Sequence, residues 1–157
     1  MSYISIGSGH ATRYRVGDES GGPASGCGAP AGSPPWQDGG MEHVLGIGGY
    51  FMRAADPAAL ITWYRDCLGL NADETGVWRQ EAGATAFATF ESDTDYFGSR
   101  TQQTMINFRV RDLDAMLAQL RAHGADVAEE TQAMEGIGRF GWVTDPEGNR
   151  VELWQPA

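Results

Sequence analysis

Lysine is absent from this 157-residue chain, and all eleven basic residues are arginine. That excludes Schiff-base chemistry, which needs an ε-amino group. Basic residues are also scarce against 21 Asp and Glu, leaving a formal net charge of −10. An acidic balance argues against nucleic acid as a partner, because phosphate binding needs a basic face. It weakly favours neutral or cationic small molecules through long-range attraction. Cysteine is limited to Cys27 and Cys67, which make neither a metal motif nor a disulfide framework and fit a reducing compartment. No apolar run reaches membrane-spanning length, and no basic-then-apolar signal pattern opens the chain. A soluble, cytoplasmic protein with no membrane partner is expected.

Residues 1–40 stand apart in composition, with ten of the 22 glycines and four of the seven prolines. Such a stretch cannot bury enough apolar surface to offset the entropy of ordering it. It reads as a flexible tail, with the functional domain spanning 41–157. In the alternative, Trp36 and Cys27 dock on the domain or a partner. His10 falls in the tail and reads as solvated.

The rest of the chain repeats itself. Arg53-Ala-Ala-Asp56 opens a stretch that ends in Leu68-Gly69; fifty-six positions later, Arg109-Val-Arg-Asp112 opens another that ends in Leu120-Arg121 and Gly124. In each copy the Asp sits where a helix N-cap belongs and the Gly just past the helix end, where left-handed geometry is needed. The spacing predicts strands at Val44–Arg53, Gly76–Gln80 and Ala84–Glu91, with a helix over Asp56–Leu68 that has Pro57 at its first position. Ser92–Thr104 reads as a polar loop. A second set follows: a strand at Met105–Val110, a helix over Leu113–His123, and strands at Asp126–Glu130, Ile137–Thr144 and Arg150–Gln155. Asp145-Pro-Glu-Gly-Asn149 joins the last two as a turn.

The α+β class follows, with two β-α-β-β-β modules at about 44–91 and 105–157. The paired modules, the Trp63-Tyr64-Arg65-x-x-Leu68-Gly69 helix end and the Asp145-Pro-Glu-Gly-Asn-Arg-Val-Glu152-Leu terminus resemble the vicinal oxygen chelate superfamily. This superfamily takes in glyoxalase I, extradiol dioxygenases, and fosfomycin- and bleomycin-resistance proteins. The resemblance implies a glyoxalase-like fold, with curved sheets around a cup. In metal-dependent members a divalent ion in the cup acts as a Lewis acid. The implied ligand positions fall here on Gly49, Met105, Ala88 or Thr89, and Glu152. Only Glu152 is a donor, and one carboxylate does not make a hard-metal site. Glu91, His43 and His123 do not converge with it by spacing.

Strand alternation sorts the faces. Ile106, Phe108, Val110, Val151 and Leu153 should pack beneath the helices. Met105, Asn107, Arg109, Arg150, Glu152 and Trp154 should line the cup, with Ile47, Gly49, Phe51 and Arg53 opposite by repeat symmetry. Phe90 and one face of the Arg139–Trp142 strand complete the lining. Phe51 and Trp154 suit stacking on a flat ligand, and Glu152 suits a cationic group. Arg53 or Arg109 suits bidentate grip of a carboxylate, and Asn107 and Arg139 add polar contacts. A blander reading pairs Arg53 and Arg109 with Asp56 and Asp112 at the surface. It balances Glu152 with Arg150 or Arg139, and leaves Trp63, Tyr64 and Cys67 as packing.

The leading expectation is a metal-independent small-molecule binder of the bleomycin-resistance type, with no cofactor and, by analogy, a homodimer. The rival is a glyoxalase-type lyase, isomerase or dioxygenase that uses Glu152 as catalytic base, with a divalent metal or arginines stabilising an enediolate. A third reading is an interaction protein whose cup is filled by its own tail.

Overall fold

A computed structural model describes residues 44–157. The tail at 1–40, with His10, Cys27 and Trp36, and also His43, lies outside the described residues. The described chain divides between two compact bodies, residues 44–53 in one and Ala54–Ala157 in the other.

The larger body begins with helix α1, Pro57–Leu68. The Asp56 side chain accepts the Ala59 N–H at 3.0 Å, Pro57 supplies a preset φ at the first turn, and Gly69 closes the helix at φ 69°. Strand β1 covers Asn107–Arg109 and helix α2 covers Leu113–Ala122. Asp112 caps α2 as Asp56 caps α1, and Gln155 accepts the Leu113 N–H at 2.8 Å. Three longer strands follow: β2 Asp126–Met134, β3 Gly138–Thr144 and β4 Arg150–Pro156.

These strands form one open mixed sheet in the order β1-β4-β3-β2. β4 runs parallel to β1 and antiparallel to β3, so it is an interior strand with ladders on both sides. The core lies on one face. Leu60, Tyr64 and Cys67 from α1 and Leu113, Leu117 and Leu120 from α2 pack with Val143, Val151 and Leu153. Phe108, Ile106 and Val110 are partly buried against the same cluster, as the alternation predicts. Gly141 lets α2 sit close, since an added Cβ would stand 3.2 Å from Leu117 and 3.3 Å from Leu113.

The second module therefore forms as expected, but the strands of the first do not. Val44–Arg53, Gly76–Gln80 and Ala84–Glu91 carry no strand pairing. Alternation fixes only the two faces of a strand; the ladder needs a neighbour's N–H and C=O groups. Gly46, Gly48 and Gly49 weaken the first segment, and Ala84, Ala86 and Ala88 give the third a face with little to pack. Phe87 is 90% exposed as a result.

Candidate functional site

The sheet face away from the helices carries the chemistry. Register sets Asn107, Glu152 and Trp142 side by side across β1, β4 and β3. One step along, Arg109, Trp154 and Phe140 form a second row, with the Trp154 and Phe140 rings near-parallel at 6.3 Å. The Trp154 indole donates to the Ile137 carbonyl at 3.0 Å.

Glu152 is the centre of the face and is only 7% exposed. A buried carboxylate must be met by donors or it costs several kcal/mol. Here it accepts from three neutral groups: the Tyr96 phenol and the Trp142 indole N–H (3.2 Å) on Oε1, and the Asn107 amide on Oε2. Tyr96 comes from the 92–104 loop and stacks on Phe90 at 5.2 Å, with its ring edge-on to Trp142 at 6.0 Å. The Arg150 guanidinium lies 4.9 Å over the Trp142 ring. Gln102 clasps the Arg150 backbone from both sides, donating to its carbonyl and accepting its N–H, each at 2.8 Å. The Arg150 Nε is buried and lacks a hydrogen-bond partner among the described residues.

Of the expected site residues, Glu152, Asn107, Arg109 and Trp154 share this face, and Phe90 joins them through Tyr96. Arg109 is already engaged, donating to the carbonyls of Glu81 (2.7 Å) and Ala82 (3.3 Å). That corrects its pairing with Asp112, since the guanidinium faces the backbone at 81–82 instead. Arg139 is a second correction. Alternation turns it to the helix side of β3, where it pairs bidentately with Asp114 at 2.8 Å. This pair holds the Asp114 carboxyl below its ordinary range and raises the Arg139 guanidinium. Nor is Glu152 balanced by Arg139; neutral donors hold it. Phe51 and Arg53 belong to residues 44–53, outside the body that builds this face, and both are exposed.

Trp142 and Tyr96 were not among the expected site residues. For Trp142 a signal existed: it alternates with Arg139 on β3 and so belongs to the other face. Tyr96 sits in a loop, where no periodicity points to a partner 56 residues away.

The residues do not fit the divalent ion that the fold family implies. Both Glu152 oxygens already accept from N–H or O–H groups, which would have to turn away for a cation to enter. Among the described residues no group of three His, Cys, Asp or Glu converges. Two hollows of the described surface, about 330 Å³ beside Trp78 and Asp73 and about 480 Å³ beside Met134 and Gln155, do not include Glu152. The Glu152 carboxylate itself is covered by its neighbours. Among the described residues no helix is long and apolar enough to cross a membrane.

Residues 50–154 match the Glyoxalase-like domain family, so the chain belongs to that family. A glyoxalase/bleomycin resistance protein from Streptomyces sp. CB03234 is 30% identical over 34% of this chain and 46% of that one, with a TM-score of 0.30. The chain thus spans less than half of that protein's length. TioX from Micromonospora sp. ML1 and TnmS3, an antibiotic binding protein from Streptomyces sp. CB03234, are each 22% identical over 66% of this chain. The match covers 90% of TioX and 89% of TnmS3, both at a TM-score of 0.43. No curated protein matches the chain.

Proposed function

We propose that this glyoxalase-like protein binds a small organic molecule on the Glu152 face and does so without a catalytic metal. The observation that carries the reading is the buried Glu152 carboxylate, held by three neutral donors within an aromatic setting of Trp142, Tyr96 and Phe90. Apolar walls around a few fixed polar groups suit a small-molecule site. TnmS3 being an antibiotic binding protein is consistent with this reading. We also propose that the two repeat modules curl around a shared cup and that the protein acts as a homodimer. The 56-residue repeat supports the first, since one copy already gives a sheet in the order β1-β4-β3-β2.

A thermal-shift screen of the full chain tests the binding reading, because a ligand specific for the folded form raises stability by mass action. The screen covers nickel, zinc, manganese and iron alongside aromatic drugs, 2-oxo acids and thiol conjugates. Stabilisation by an organic ligand alone supports the reading. Stabilisation by a metal, lost on replacing Glu152 with Gln, overturns it in favour of a metal-dependent lyase, isomerase or dioxygenase.

A further inference from the structure

We infer that the molecule bound on this face is a hydroxyaromatic compound whose O–H takes the place of the Tyr96 phenol on Glu152. The inference rests on the binding reading above and adds the ligand's chemical class. Glu152 accepts from Tyr96, Asn107 and Trp142. Two of these donors stand on paired strands: Asn107 and Trp142 are in register with Glu152, and ladders hold their backbones beside it. Tyr96 is different. It sits in a run of turns whose backbone bonds close locally, from Thr94 to Glu91, Gly98 to Asp95 and Gln102 to Ser99. Exchange at Tyr96 leaves the sheet intact.

The Tyr96 ring also shows what the position accepts. A phenol there lies within 13° of parallel to Phe90, turns its edge to the Trp142 indole, and donates to a carboxylate that has no other use for the site's third donor position. A ligand ring with one hydroxyl reproduces each contact. An ether of the same shape leaves the carboxylate one donor short, and a buried acceptor missing a donor is costly. A cationic ligand fits less well, because the Arg150 guanidinium already lies against Trp142. The chemistry selected is therefore a neutral aromatic alcohol.

The test titrates 2-naphthol and 2-methoxynaphthalene into the full chain by calorimetry, with wild type and Tyr96→Phe. The Phe variant keeps the ring packing and removes the competing hydroxyl, and its melting curve verifies folding. The alcohol should bind wild type about tenfold or more tightly than the ether. Tyr96→Phe should tighten the alcohol and the ether by a similar factor, because neither then has to break the Tyr96–Glu152 bond, and the alcohol should stay the tighter ligand. Equal affinity for alcohol and ether in wild type overturns the inference without recourse to any variant, as does a Phe variant that binds the alcohol no better. If neither compound binds while the broader screen yields another organic ligand, this inference falls and the binding reading stands. If nothing binds in either experiment, both fall.

Discussion

Tyr64 donates its hydroxyl to Asp145 at 3.0 Å, across 81 residues of chain, and both residues are only 4% exposed. The same carboxylate organises the last hairpin, accepting the N–H groups of Glu147 (2.9 Å) and Asn149 (2.8 Å). Glu147 then returns the connection, its Oε1 accepting the Asp56 N–H at 3.0 Å where α1 begins. The Asp-Pro-Glu-Gly-Asn turn thus fastens the first helix to the sheet.

Tyr64→Phe removes one bond to a charged group and leaves the ring packing. A loss of about 1.5–3 kcal/mol is expected, read as a lower denaturant midpoint with unchanged slope. A drop of less than about 0.5 kcal/mol would mean that Asp145 serves the turn alone.

Glu152→Gln replaces an acceptor of three bonds with a group that has only one accepting oxygen and a donating NH2. That NH2 faces either Asn107 or the Tyr96–Trp142 pair, donor against donor. About 1–3 kcal/mol should be lost from unfolding stability. The tryptophan emission of the folded protein should also shift, because Trp142 reports directly on the carboxylate. An unchanged spectrum and midpoint would remove Glu152 from the centre of the face.

Two glycines on β3 should behave differently when replaced by alanine. Gly138 has φ 136°, and a Cβ there would lie 2.1 Å from the Gln155 carbonyl oxygen, so the backbone itself must move. Gly138→Ala should unfold the protein at markedly lower temperature, by more than about 2 kcal/mol. Gly141→Ala meets only leucine methyl groups at 3.2–3.3 Å, which yield more easily, and about 1 kcal/mol is expected. Thermal melts of the pair should rank them in that order.

Asp114 gives a pH signature. Arg139 lowers its folded-state pKa, chiefly by direct hydrogen bonding, below the ordinary value of 3.8. Its contribution is therefore complete above the unfolded-state value and disappears as pH falls through the lower folded value. The stability gap between wild type and Asp114→Asn should be constant near neutrality and close on acidification below about pH 4. Both partners are exposed, so added salt should narrow the gap as well.

Cys67 should be inert. Burial pushes its thiol up from the ordinary range, with Asp66 adding to the rise. Reaction with a thiol reagent should follow the rate of unfolding rather than the thiolate fraction at the surface.

What could be read in advance follows from locality. Asp56, Pro57, Gly69 and Asp112 act within a turn of their own positions, so both helix starts and the first helix end were legible. The alternation of Val151 and Leu153 with Glu152 and Trp154 is equally local, and it put the first pair in the core and the second on the opposite sheet face. The errors arose where a partner decides. Ala84–Glu91 has a strand pattern but no ladder, and Arg139 has ligand-binding chemistry but points toward Asp114. Tyr96 was hidden for the same reason: its meaning comes from Glu152, and nothing in its neighbours announces that bond.

The interior position of β4 has a consequence during synthesis. β1 pairs with β4 across 45 positions, Asn107 opposite Glu152, and both α2 and the β2–β3 hairpin are made in between. At translation speeds of roughly 5–20 residues per second, β1 waits about 2–9 seconds for its neighbour. For that interval its edge is open and Phe108 is unsheltered, so nascent chains are at greatest risk of sticking to one another just before the last hairpin turns back.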